Sequence, residues 1–191
     1  HAGDQAVGRG QHRAGHGRPR GVRAALLGMV ARYSTGDRYA GHAETVAAVT
    51  AETDTLRERA LGLAAEDAAA FTAVTEAYKL PKGEERSAAI AAALAGAAEP
   101  PARVAETAAR LVELCETLLP IGNPNVVTDV AAAAEAARAA LTTARVNVEV
   151  NMGGIKEEGV LDALRGRLAG VDDAVARAER VTAAVRKDLA R

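Results

Sequence analysis

The sequence predicts an all-α bundle of five to six helices, with long second and last members, in one domain. Composition carries much of this: 48 of the 191 residues are alanine, and only Tyr33, Tyr39, Phe71 and Tyr78 are aromatic. Alanine loses least on entering a helix, whereas strands favour β-branched and aromatic side chains, so β-sandwiches and barrels are excluded. Spacing carries the rest. From Ala24 onward apolar side chains recur every three or four residues, and prolines or glycines punctuate the runs. A length of 191 residues suits a single folding unit, placed at 24–191.

The first helix is expected from Ala24 through Leu26, Leu27 and Val30 to a stop at Ser34-Thr35-Gly36. A second should run from about Ala43 to Leu80. Val46, Val49, Leu56, Leu63, Phe71 and Val74 recur there with no internal proline, and Pro81 halts the run. At ~1.5 Å per residue this helix would be more than about 50 Å long. A third is expected over about Glu84 to Ala98, closed by Pro100-Pro101. A fourth then begins with Pro101 in its tolerated first turn and ends at Pro120-Ile121-Gly122. Gly122-Asn123-Pro124-Asn125 reads as a turn in which Asn123 or Asn125 caps a fifth helix reaching about Asn151. The middle of that helix, Ala131 to Ala140, is almost all alanine and admits a close neighbouring backbone. After the Gly153-Gly154 break, the last helix should extend from about Glu157 to Ala190, with Val160, Leu164, Leu168, Val171 and Val181 among its apolar positions. Faces lined by alanine bury little area, so association into a dimer is expected to stabilise them.

The net charge of −1 conceals an asymmetry: residues 1–23 hold five arginines against Asp4, and the remainder holds 19 basic and 24 acidic side chains. The opening segment, rich in Gly, His and Arg and without apolar periodicity, is expected to be disordered or aberrant. The acidic body offers no basic face to continue it, so nucleic acid is not an expected partner. The longest apolar stretch, Ala88 to Ala98, falls short of the ~20 residues that cross a bilayer, and a soluble cytoplasmic protein is expected. Cys115, the lone cysteine, can form neither an internal disulfide nor a thiolate metal site. Its spacing from Leu111, Leu114 and Leu118 is that of a core residue. Histidine occurs only at positions 1, 12, 16 and 42 and serine only at 34 and 87, which excludes triad hydrolases. Neither a Walker motif nor a dinucleotide fingerprint occurs, and no metal or cofactor is expected.

Three polar features interrupt the apolar stripes. Asp67 shares a helix face with Phe71, Val74 and Tyr78, and a carboxylate there is either a partly buried functional acid or part of a solvated edge. Lys79 and Lys82 are two of only four lysines. They flank the end of the second helix, where the macrodipole favours cations and where an anionic ligand or a proton transfer could be served. Asn125 and Asp129 are one turn apart, as are Asn147 and Asn151, and five turns separate Asp129 from Asn147. All four thus face nearly the same way, with about 27 Å between Asp129 and Asn147. One small ligand cannot bridge that span within one subunit, so a two-fold dimer or a neighbouring helix could bring them together, or each could belong to a different wall of a groove. Inward asparagines need hydrogen-bond partners, which a ligand with ring nitrogens and a carbonyl would supply.

The stretch from Gly28 to about Ile155 resembles the formiminotransferase-cyclodeaminase C-terminal family, which includes bacterial cyclodeaminases and methenyltetrahydrofolate cyclohydrolases. The matching pieces are Glu66-Asp67-Ala68-Ala69-Ala70-Phe71, Leu80-Pro81-Lys82, Gly122-Asn123-Pro124-Asn125-Val126-Val127-Thr128-Asp129 and Asn147-Val148-Glu149-Val150-Asn151, in the family's order. The resemblance implies a homodimeric, all-helical lyase of one-carbon metabolism and histidine degradation. Such an enzyme converts 5-formiminotetrahydrofolate into 5,10-methenyltetrahydrofolate and ammonia, with the folate as substrate and no further cofactor. One alternative is the cyclohydrolase, in which water attacks the methenyl bridge; another is a non-catalytic folate-binding or helical interaction dimer. The resemblance further implies Asp67 and Asp129 as acid–base or cation-stabilising carboxylates and Lys82 as a proton donor or carboxylate anchor. Asn123, Asn147 and Asn151 would orient the pteridine edge, with Asn125 and Lys79 as additional substrate contacts. Two departures stand out: no glycine-rich P-G-G-G-S-type turn precedes Ala24, and the segment between Lys82 and Arg86 is shorter than usual.

Overall fold

The computed structural model describes residues 18–190, with residues 18–23 as backbone alone; the expectation for residues 1–17 lies outside the described residues. The fold is all-α, as expected. Its helices are α1 (Arg18–Arg32), α2 (Ala43–Lys79), α3 (Glu84–Leu118), α4 (Val127–Met152), α5 (Glu158–Leu168) and α6 (Val171–Leu189). Short 3-10 turns, Asp37–His42 and Pro124–Val126, precede α2 and α4.

The first four helices close a ring in which α1 and α3 each pack against both α2 and α4. Two seams on α2 explain how. Val49, Leu56, Leu63, Ala70 and Ala77 repeat every seven residues, as do Val46, Thr53, Ala60, Asp67 and Val74. A repeat of seven keeps a pair of rows facing a neighbouring helix. The first members of each row are fully buried. On α4 the inward residues are Val130, Ala133, Ala134, Ala137, Leu141, Ala144 and Val148. Each buried alanine offers only a methyl, worth about 0.8 kcal/mol per carbon, so α4 gains stability mainly from close approach to α3 and α6. Close contact of α1 with α2 depends on Gly28, where a Cβ would stand 2.9 Å from Thr53 Oγ1. A Cβ at Gly154 would stand 2.2 Å from Leu94 Cδ1, so the α4–α5 connection lies against α3.

Three boundaries differ from expectation. First, α1 begins at Arg18 rather than Ala24, so the end of the segment expected to be disordered is helical. Pro19 falls in the first turn, where its missing N–H has no intrahelical role. Second, the expected third and fourth helices are one helix, α3, running through Pro100 and Pro101. Both prolines are buried, as are Ala97, Ala98 and Ala102 around them, so tertiary packing outweighs the ~3 kcal/mol that an interior proline costs. Third, the long last helix is two, α5 and α6, parted at Ala169-Gly170. Gly159, Gly166 and Gly170 weaken helix propensity there, and the two pieces serve different cores. Leu164 of α5 joins Ala98, Ala102, Val148 and Ile155 in a small cluster. Val171, Ala174, Ala178 and Val181 of α6 join the main core.

Candidate functional site

Asp67 occupies a core row of α2, two repeats beyond buried Thr53, yet it is only partly buried. Gly28 abuts Thr53, and Ala24 lines a cavity of about 40 Å³ with Leu56, Ala60, Leu63, Val104 and Ala140. The antiparallel course of α1 therefore brings Arg18 to about the level of Leu63, one turn short of Asp67. Beyond that level the large aromatic side chains of α2 are exposed, Phe71 by 73% and Tyr78 by 50%, while Ala77 stays buried. Of the expected face Asp67-Phe71-Val74-Tyr78, only Asp67 and Val74 are partly covered. The neighbouring Glu66 carboxylate accepts from Arg103 of α3, which fixes the level of Asp67 against that helix.

At the other end of α1, Asn123 is committed to the backbone. Its Nδ2 donates to Tyr33 O at 3.0 Å and its Oδ1 accepts from Asn125 N at 3.0 Å. Asn123 thus caps the Pro124–Val126 turn, while α4 itself has no side-chain cap. Its own N–H donates to the hydroxyl of Ser34, 2.8 Å away, and that hydroxyl donates to Val30 O, also at 2.8 Å. Ser34 is 1% exposed. The sequence marks Ser34 as part of the stop of the first helix, but its bond to Asn123, 89 residues away, is not signalled by any local pattern. Asp129, in the first turn of α4, is partly buried and Asn125 is exposed. A cleft of about 530 Å³ opens beside this knot, lined by Ser34, Thr35, Gly36, Tyr39, Thr50 and Asp54.

Asn147 and Asn151 do not share an environment: Asn147 is exposed, whereas Asn151 is partly buried and continues the inward row Leu141-Ala144-Val148. Asn151 Nδ2 donates to Ala97 O of α3 at 3.1 Å and to Asn147 O at 2.9 Å. This contact sets the register of α3 against α4. By ~1.5 Å per residue, Asp67 and Asn147 lie within one turn of the same level, and Asp67 and Asp129 stand roughly 24 Å apart along the bundle. The chain therefore groups Asp67 with Asn147 and Asn151, and Asp129 with Asn123 and Asn125. Lys79 and Lys82 form a third group about 18 Å or more beyond Asp67. Lys79 pairs with Glu76, and Lys82 is exposed in the turn between α2 and α3. Arg86 joins them with its guanidinium 5.9 Å from the Tyr78 ring centre, a contact that its spacing did not foretell. A cleft of about 800 Å³ lies beside this tip, lined by Gly83, Ser87, Ala91, Ala95 and Lys156.

Burial pushes the Cys115 thiol up to about 12, with the nearby Glu116 carboxylate adding to it, so Cys115 is an inert core group. Among the described residues no group of three His, Cys, Asp or Glu side chains is placed to hold a metal. No described helix is long and apolar enough to cross a membrane.

A sequence model of the formiminotransferase-cyclodeaminase family matches residues 21–170. The chain is 33% identical over 154 residues to a protein of Methylorubrum extorquens described as methenyltetrahydrofolate cyclohydrolase, covering 78% of this chain and 74% of that protein. Its fold is similar to the crystal structure of formiminotetrahydrofolate cyclodeaminase from Thermotoga maritima, with a TM-score of 0.78 and 24% identity over 88% of this chain and 85% of that one.

Proposed function

Since the chain belongs to the formiminotransferase-cyclodeaminase family, whose members act on folate derivatives, we propose that it works at the one-carbon bridge between N5 and N10 of a reduced folate. Of the two reactions at that bridge, the inferred one is hydrolysis of 5,10-methenyltetrahydrofolate to the 10-formyl compound. It has the support of the 33% identical relative, described as a cyclohydrolase. The observation that carries the reading is Asp67, a partly buried carboxylate in a core row of α2 at about the level of Asn147. In such a position a carboxylate can stabilise the cationic bridge and take the proton of the attacking water. Water then adds to the bridge carbon and gives up one proton to the carboxylate; the remaining hydroxyl proton passes to N5 as the bond from that carbon to N5 breaks, and the formyl group stays on N10.

The roughly 24 Å between Asp67 and Asp129 means that both can serve one bridge carbon only if a second subunit brings its Asp129 to the first subunit's Asp67. Exposed Phe71, Tyr78, Val146 and Val150 offer apolar surface for such a two-fold dimer. Lys79 and Lys82 lie too far from Asp67 of the same subunit to protonate its leaving nitrogen and suit the carboxylates at the glutamate end of an extended folate. Asn147 suits the pteridine edge, while Asn123 shapes its turn. The cyclodeaminase reaction, in which N10 attacks a formimino carbon and ammonia leaves, is the second reading, favoured by the description of the matching family.

Absorbance in the near ultraviolet tests both readings. Accelerated loss of the methenyl band is expected with the wild-type chain and little with Asp67→Asn; growth of that band from 5-formiminotetrahydrofolate would select the second reading. No change with either substrate, despite tight binding, would contradict both and leave a non-catalytic folate-binding dimer.

A further inference from the structure

The two prolines of α3 leave two carbonyls without their usual donors, because proline has no N–H to offer the residue four places back. Pro100 orphans Gly96 O, and Gly96 is exposed, so water can reach it. Pro101 orphans Ala97 O, and Ala97 is 8% exposed beside fully buried Ala98 and Ala102. A buried carbonyl without a donor is costly. Here the donor comes from another helix: Asn151 Nδ2, 3.1 Å from Ala97 O. The second N–H of the same amide is directed to Asn147 O at 2.9 Å. Both acceptors are carbonyls, so the orientation of the amide is dictated by chemistry: its nitrogen must face them, which leaves only Oδ1 uncommitted.

We infer that Asn151 is a positioning residue, a side-chain substitute for the backbone bond that Pro101 removes, holding the end of α4 that carries Asn147 against α3. Its amide N–H groups are not offered to a ligand. The stability part of this inference stands on the geometry alone; its effect on catalysis rests on the folate reading above.

The test is a double-mutant cycle, because Pro101→Ala returns a backbone N–H to Ala97 O. In the wild-type background, Asn151→Ala should raise the unfolding equilibrium constant about tenfold, the usual consequence of orphaning one buried polar group. In the Pro101→Ala background the same substitution should raise it by no more than about threefold. Equal effects in the two backgrounds would overturn the inference. If Asn151→Ala alone does not fold, a folded Pro101→Ala/Asn151→Ala variant supports the inference, and an unfolded one beside folded Pro101→Ala refutes it. In the methenyl assay Asn151→Ala should raise KM with little change in kcat, and the added Pro101→Ala should restore KM. Failure of that restoration, with the stability coupling present, would show that the amide touches substrate and overturn the positioning role. Absence of turnover in every variant and the parent would count against the folate reading and leave the stability cycle intact.

Discussion

Replacing Ser34 by alanine probes the joint between α1 and the Gly122–Asn125 turn. The Ser34 N–H turns to Ala31 O at 3.0 Å, so its hydroxyl stands in for the ordinary helical bond to Val30 O. The same hydroxyl accepts the Asn123 N–H at 2.8 Å. Alanine would therefore strip two backbone groups of their partner at a residue that is 1% exposed. A net hydrogen bond is worth about 1 kcal/mol and an orphaned buried group about 1–3, so the loss should be about 2–3 kcal/mol. Thr35→Ala is the internal comparison: its hydroxyl donates to Arg32 O in an exposed setting and its loss should stay within about 0.5 kcal/mol. Urea unfolding followed by circular dichroism at fixed protein concentration measures both, with the slope expected to be unchanged. If Ser34→Ala costs no more than Thr35→Ala, the turn is not held by this hydroxyl and the reasoning fails.

Two further outcomes follow from the charges and the open face. Hydrogen bonds from Arg110 and Arg177 hold Glu52 and Glu116 below the usual carboxylate range against the opposing effect of burial. A depressed folded-state value gives stability that is full above the unfolded value of about 4.3 and is lost as pH falls through the folded one. The urea midpoint should therefore decline from about pH 5 downward, and Glu52→Gln with Glu116→Gln should flatten that decline; an unchanged slope would contradict it. Placing a charge on the exposed apolar face, as Phe71→Glu, should convert a sedimenting dimer into monomer with helicity retained. A wild-type chain that sediments as a stable folded monomer at micromolar concentration would remove the case for association.

What could be read from the chain was whatever local spacing and local chemistry decide. The span of α2, its stop before Pro81 and the turn at Gly122-Asn123-Pro124-Asn125 all appear where the sequence places them. Asp67 drew notice because a charge sat on an apolar face, and the structure finds it partly buried there. Several misreadings trace to a partner distant in sequence. Pro100-Pro101 reads as a boundary until Asn151, 54 residues later, supplies the missing donor. Nothing near Gly170 tells that α5 and α6 pack on separate cores. Ser34 and Asn123 are 89 residues apart, and only the closed ring brings hydroxyl and amide together. The four polar residues read as one helix stripe divide: Asn125 lies before α4 in the Pro124–Val126 turn, Asp129 is partly buried, α3 covers Asn151 and Asn147 is exposed.

Mixing separately purified Asp67→Asn and Asp129→Asn variants, and letting their subunits exchange, tests most directly whether one folate site is assembled from two chains. Each variant alone should be nearly inactive, and the mixed dimer should regain methenyl hydrolysis, because one of its two sites pairs an intact Asp67 with the partner's intact Asp129. Dimers that exchange subunits yet stay inactive, or single variants that keep wild-type turnover, would contradict the shared site.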